Sequence, residues 1–160
     1  MNQISLARLS EFLVDAKRKT YAGLDDDATV LAPLLPGSKQ LEYRDRDLSY
    51  RDIYFGMSFF VGQETVQAGP DVIWSMSYAG GVSPAIVDRN EFLSIYAFLR
   101  QALLTVRDDY PFRGSSQFEN GSFRYANIPL GDVAEFHGEE QIYRAGIKVY
   151  GLRYSGGLVR

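Results

Sequence analysis

The chain has no cysteine and a single histidine, His137, among its 160 residues. Without thiols there is no disulfide framework, no iron–sulfur cluster, no cysteine-rich zinc site and no thiol nucleophile. One imidazole also excludes a site built from two or three histidines of the same chain, and no metal site is expected. Long apolar runs are missing: no stretch approaches the ~20 residues of a membrane-spanning helix. Nor does the N-terminus pair a charged segment with an apolar one in the manner of a secretory signal. The expected setting is therefore cytoplasmic, with no membrane partner. A basic excess is absent too, since 17 Lys and Arg stand against 20 Asp and Glu for a net charge of −3. Non-specific nucleic-acid affinity comes mainly from phosphate neutralisation, so no direct nucleic-acid partner is expected.

What the chain does have is aromatic side chains, 11 Tyr, 10 Phe and one Trp. At this length a single domain, residues 1–160, buries about 70% of its unfolded surface and needs no staple. Ile4, Leu6, Leu9, Phe12, Leu13 and Ala16 recur at helical spacing, and Tyr21-Ala22-Gly23 supplies a helix stop. Lys17, Arg18 and Lys19 then read as cations at the helix C-terminus. Residues 23–38 form a long connector with an acidic run, Asp25 to Asp27, and two prolines. From Lys39 the period changes to two, predicting strands over 40–44, 48–55, 58–67 and 72–79. A second helix is predicted from Asp88 as N-cap through Phe92, Leu93, Tyr96, Leu99, Leu103 and Leu104, with Pro111 as its stop. Strands resume over 117–119, 123–128, 133–143 and 147–154.

That order of elements occurs twice. Phe60-x-Gly62-x-Glu64 and Phe136-x-Gly138-x-Glu140 lie 76 residues apart. Trp74, Met76, Tyr78, Gly80 and Gly81 meet Tyr150, Leu152, Tyr154, Gly156 and Gly157 at the same offset of 76, while Tyr50 and Asp52 meet Tyr125 and Asn127 at 75. The expectation is an α+β fold of two duplicated α-β-β-β-β halves, roughly 4–82 and 88–158. Their strands form a curved antiparallel sheet with both helices packed on one face.

Strand alternation sorts the side chains. Tyr50, Asp52 and Tyr54 share one face of their strand with Leu48; Glu64 shares a face with Phe60 and Val66; Trp74 and Tyr78 share one with Met76. In the second half Glu140 lies among Phe136 and Ile142, and Tyr150 and Tyr154 flank Leu152. Carboxylates on an apolar face must be paired, hydrogen-bonded or protonated. One reading is an aromatic pocket with central acids, formed by Tyr50, Asp52, Tyr54, Glu64, Trp74, Tyr78, Glu140, Tyr150 and Tyr154. It would suit a cationic or hydroxyl-rich small molecule. The structural alternative pairs the acids with Arg44, Arg51, Arg113, Arg153 or tyrosine hydroxyls; a third sends them to solvent through a bulge. Asp45-Arg46-Asp47 reads as a turn rather than a calcium loop, and His137 as an outward-facing residue. The Gly-Gly pairs open no helix with Lys-Ser/Thr, so they form no phosphate loop and imply no cofactor.

These segments also carry a resemblance. Phe12-Leu13-x-x-Ala16-Lys17, Asp47-Leu48-x-Tyr50-x-Asp52-x-Tyr54, Phe60-x-Gly62-x-Glu64, Trp74-x-Met76-x-Tyr78-x-Gly80 and Tyr150-x-Leu152-x-Tyr154-x-Gly156-Gly157 resemble a bacterial domain family of unknown function. The chain departs from the pattern with Ser77 where the family has Asn. Members stand alone or follow a helix-turn-helix DNA-binding domain, which implies a sensing or regulatory module. This chain has no room for such a domain, so a DNA-linked role would need a partner chain. The leading expectation is non-catalytic small-molecule binding or sensing. The alternatives are a hydrolase or isomerase with paired carboxylates as acid and base, and a protein-interaction module. A homodimer is compatible with each.

Overall fold

A computed structural model describes residues 4–21 and 29–160. The first helix, α1, runs Leu6–Thr20; the Ser5 hydroxyl caps it by accepting from the Arg8 N–H at 3.2 Å. Four strands follow, β1 (Lys39–Asp45), β2 (Leu48–Gly56), β3 (Phe59–Ala68) and β4 (Asp71–Val82). Helix α2 spans Arg89–Leu103 with Asp88 as its N-cap, its carboxylate accepting from the Glu91 N–H at 2.8 Å. Strands β5 (Gln117–Asn120), β6 (Phe123–Asp132), β7 (Glu135–Arg144) and β8 (Ile147–Leu158) complete the chain. The predicted acidic run and the Ala22-Gly23 stop lie outside the described residues.

All eight strands join one antiparallel sheet in the order β1-β2-β3-β4-β8-β7-β6-β5. Two consecutive meanders thus meet at their last strands, and Tyr78 stands directly opposite Tyr154 at the seam. The halves agree in detail. The Val82 N–H donates to the Ser58 carbonyl and the Leu158 N–H to the Ala134 carbonyl, in both cases 24 residues apart. Both helices lie on the sheet face that carries the even-numbered residues of β2, β3 and β4. There Leu9, Phe12 and Leu13 of α1 and Ile95, Phe98 and Leu99 of α2 join Tyr50, Val66, Trp74 and Met76 in one core. The aromatic layer is continuous across it: Phe112 stacks on Phe136 at 3.7 Å between ring centroids, and Phe136 on Trp74 at 5.6 Å.

The structure corrects several boundaries. Strands β4 and β8 continue through their Gly-Gly pairs, because the neighbouring backbone passes too close for any side chain: a Cβ on Gly81 would overlap the Ser58 carbonyl and one on Gly157 the Ala134 carbonyl. Helix α2 ends at Leu103, well before Pro111, and buries Leu99 and Leu103 of the predicted stripe together with Ile95, Phe98 and Ala102, while Phe92 and Tyr96 pack half-buried against the core. Leu93 and Leu104 are exposed. Part of the predicted connector adds to the β1 edge, with Thr29 bridged to Leu41 and the Val30 N–H donating to the Gln40 carbonyl. An edge strand covered in this way is a poor template for unwanted pairing.

Candidate functional site

Asp52 of β2 and Glu64 of β3 are directly opposite each other on the helix-covered face, and both are fully buried. Their partners come from three elements. The Lys17 ammonium reaches Glu64 Oε2 at 2.5 Å from α1. The hydroxyl of Tyr21, the residue ending α1, lies 2.8 Å from Asp52 Oδ2 and 3.0 Å from Glu64 Oε1. From β4, the Tyr78 hydroxyl donates to Asp52 Oδ1 at 2.7 Å.

The second half repeats the layout with different chemistry. Asn127 and Glu140 are opposite each other on β6 and β7. Glu140, fully buried, accepts from Arg113 Nη2 at 2.6 Å, the Tyr125 hydroxyl at 2.6 Å and the Tyr150 hydroxyl at 2.8 Å. The Tyr154 hydroxyl donates to Asn127 Oδ1 at 2.7 Å, and Asn127 Nδ2 donates to the Gly114 carbonyl at 2.8 Å. Arg113 joins the two halves, since its guanidinium lies 5.4 Å from the Tyr21 ring centroid and 5.9 Å from that of Tyr78.

The glycine of each Phe-x-Gly-x-Glu segment makes this possible. Tyr78 starts on β4 and must cross β3 to reach Asp52 on β2; it crosses at Gly62, its direct neighbour in the sheet. A Cβ on Gly62 would overlap the Tyr78 hydroxyl and Cζ, and a Cβ on Gly138 would overlap the same atoms of Tyr154. The glycine and the tyrosine are one device, used twice.

Burial sets the electrostatics. Asp52 is pushed up from its ordinary 3.8 to about 7 by desolvation and by the Glu64 charge, against hydrogen bonds from Tyr78 and Tyr21 that lower it. Burial also lowers Lys17, opposed by its pairing with Glu64. For Arg113 burial disfavours the charge, yet Glu140 outweighs it and raises the guanidinium well above its ordinary value. Tyr21, Tyr50, Tyr125 and Tyr150 are all raised, first by burial and then by the nearby carboxylates, so each remains a neutral phenol.

Above this network lies a cleft of about 450 Å3 between α2 and the ends of α1, β1 and β2. Tyr54, Phe60, Phe92 and Tyr96 wall it, Tyr21, Tyr78 and Arg113 reach it from the network, and Lys39 and Arg100 add cations. Among the described residues no carboxylate lines it. A broader groove of about 740 Å3 crosses the helix-free face, where Ile53, Phe55, Val61, Arg51 and Arg153 contribute. Tyr78 and Tyr154 border this groove as well, but Tyr21 and Arg113, which carry the network's contacts with Asp52, Glu64 and Glu140, line only the smaller cleft of the two.

Of the residues singled out in the sequence, Tyr54 and Tyr78 line the cleft. Asp52, Glu64, Glu140 and Tyr150 lie in the buried network beneath it, Tyr50 is buried beside them with its hydroxyl unbonded, and Tyr154 bonds Asn127. Trp74 is a core residue whose indole N–H donates to the Val133 carbonyl at 3.0 Å. Lys17 lies in the last turn of α1 as expected, but it does more than face the helix end: it is 3% exposed and paired with Glu64. Its spacing carried the signal, because Lys17 follows Leu13 by four residues and so shares the apolar stripe. Tyr21 continues that stripe one turn further on. His137 is exposed, as expected.

Among the described residues no three His, Asp or Glu side chains cluster to hold a metal ion, and no helix is long and apolar enough to cross a membrane. No curated protein matches the chain, and no solved structure does. The family model for a domain of unknown function, DUF5680, matches residues 52–159, which takes in the chain from Asp52 to the end of β8 but leaves out Lys17 and Tyr21. With most of the sheet, α2 and all three buried acids inside that match, the chain belongs to the DUF5680 family.

Proposed function

We propose that this domain is a non-catalytic binding or sensing module whose ligand is a small planar anion held in the aromatic cleft. The observation that carries this reading is the lining itself: four aromatic walls, three cations and, among the described residues, no carboxylate. Aromatic faces take the planar body of such a ligand, and Lys39 and Arg100 take its charge. A cationic ligand, one of the two classes the sequence suggests, would find no acid available, since Lys17, Arg113 and four tyrosine hydroxyls already occupy Asp52, Glu64 and Glu140. Acid–base catalysis by the paired carboxylates fares worse for the same reason, because all three are fully buried and a substrate in the cleft would meet tyrosine and arginine first. The reading keeps the bacterial origin that the family resemblance implies and the cytoplasmic setting expected from the sequence.

The test is calorimetric titration with benzoate, benzamide and benzylamine, a matched anion, neutral molecule and cation. Benzoate alone should bind, and Arg100→Ala together with Lys39→Ala should weaken it at least tenfold. Equal or stronger binding of benzylamine would reverse the assignment. A second reading, a protein-interaction module or homodimer, is supported by exposed Phe55, Val61, Ile128 and Leu130 on the helix-free face. Light scattering across a concentration series separates it from the first.

A further inference from the structure

The Tyr21 hydroxyl has one proton, yet it lies within hydrogen-bond distance of two carboxyl groups, at 2.8 Å from Asp52 and 3.0 Å from Glu64. It can donate to only one of them, so the other contact needs a proton supplied by the carboxyl. Glu64 is the ionised partner, because its second oxygen accepts from the Lys17 ammonium at 2.5 Å. The second oxygen of Asp52 accepts only from a neutral phenol, Tyr78. Charge balance agrees: Arg113 is committed to Glu140, which leaves Lys17 as the single buried cation for Asp52 and Glu64 together.

The other half of the sheet shows what that position requires. There Asn127 occupies the place of Asp52, accepting from Tyr154 with its carbonyl oxygen and donating with its amide nitrogen to Gly114. A carboxylic acid offers the same pattern, one acceptor and one donor; a carboxylate does not.

We propose that Asp52 is a neutral acid in the resting protein, donating through Oδ2 to Tyr21, and that loss of this proton shifts Tyr21 and thereby regulates the cleft. The chain of donors runs from Tyr78 to Asp52, from Asp52 to Tyr21, and from Tyr21 to Glu64, which Lys17 holds from the far side. When Asp52 ionises, Tyr21 faces two carboxylates with one proton, and one contact opens. Tyr21 lines the cleft, so the opening moves its wall. From Asp52's own strand Tyr50 and Tyr54 are neutral phenols, as is Tyr96 of α2; the charges around them are Lys17 of α1 on Glu64, Arg113 from the segment after α2, and Lys39 and Arg100 lining the cleft. Burial together with the Glu64 charge brings Asp52 up to about 7, while the buried phenols are raised further from neutrality.

The regulatory half of this proposal rests on the cleft reading above; the proton assignment does not. Carbon-13 NMR of the wild-type protein labelled at aspartate side chains needs no variant and reads the protonation of Asp52 directly. The expected result is a neutral carboxyl at pH 5 that titrates near pH 7, together with a shift of the Tyr21 ring signals. An Asp52 ionised throughout that range, or a proton found on Glu64, overturns the proposal. Benzoate affinity should then fall about threefold or more from pH 6 to pH 8 in the wild type, because a negative charge appears beneath the cleft, and stay flat in Asp52→Asn. A titrating Asp52 with pH-independent benzoate affinity overturns the regulatory half. A titrating Asp52 with moving Tyr21 signals and no benzoate binding at any pH supports the switch and overturns the cleft reading instead.

Discussion

Tyr78 and Tyr154 face each other across the seam between β4 and β8, and each reaches past a glycine to the side chain two strands away, Asp52 and Asn127, at 2.7 Å. Because each ring lies flat over a strand that has no side chain at the crossing point, the sheet supplies the space and the tyrosine fills it. The buried polar network therefore depends on two residues without side chains.

Gly62→Ala and Gly138→Ala are expected to cost about 2–4 kcal/mol each, from overpacking against the tyrosine ring and from the buried hydrogen bond it would lose. Urea denaturation followed by far-UV circular dichroism measures this. The control is Gly62→Ala combined with Tyr78→Phe, which should recover little, since the ring and not only the hydroxyl occupies the space. A cost below about 0.5 kcal/mol at both sites would mean that neither ring depends on its glycine.

Lys17 and Glu64 form a buried ion pair, with side-chain exposures of 4% and 0%. Breaking such a pair from one side strands a charge in low dielectric, and about 3–5 kcal/mol is the expected cost of Lys17→Met. Neutralising both partners, Lys17→Met with Glu64→Gln, should restore a large part of that loss, which a double-mutant cycle quantifies. A double variant no more stable than Lys17→Met would argue against a stranded charge as the cause.

The meander, the two helices and the face carrying the acids were legible in the sequence because period-two and period-three-to-four patterns report burial directly. Glu64 and Glu140 stood out as charges inside apolar rows. Their partners were harder to see. Arg113 was one of several candidate arginines, and nothing local distinguishes it. Lys17 sits in the last turn of α1 with Arg18 and Lys19, a place the helix end explains for all three alike, and only its register with Leu9 and Leu13 points to a buried partner. Tyr21 acts on residues 31 and 43 positions away, a separation at which alternation and helical period carry no information. The cleft likewise depends on how α2 docks over β2 and β3.

The pH dependence of stability follows from Asp52. Its folded value near 7 lies above the ordinary 3.8, so between roughly pH 4 and pH 7 the unfolded chain releases a proton that the folded protein retains. Folding stability from this group is complete below pH 4 and is lost as pH rises toward 7, by an amount on the order of a few kcal/mol. Other groups add their own slopes, so the informative quantity is the difference between wild type and Asp52→Asn. The variant should gain on the wild type as pH rises across this window. A difference that does not change with pH would place the titration elsewhere.

Asn127 permits the converse experiment. Its amide donates to the Gly114 carbonyl and its oxygen accepts from Tyr154, while Glu140 stands directly opposite it and Arg113 is already bound to Glu140. Asn127→Asp would be nearly isosteric while protonated, because the acid O–H can take the place of the amide donor. Once ionised, it would put a second negative charge beside Glu140 with no further cation at hand, and an oxygen against the Gly114 carbonyl. The expected penalty is below about 1 kcal/mol at pH 4–5 and grows by roughly 2–3 kcal/mol by pH 8. Stability measured in urea across that range checks it. A penalty equally large at pH 4 would show that the site discriminates by shape and amide geometry, and that a neutral acid does not substitute for the amide there.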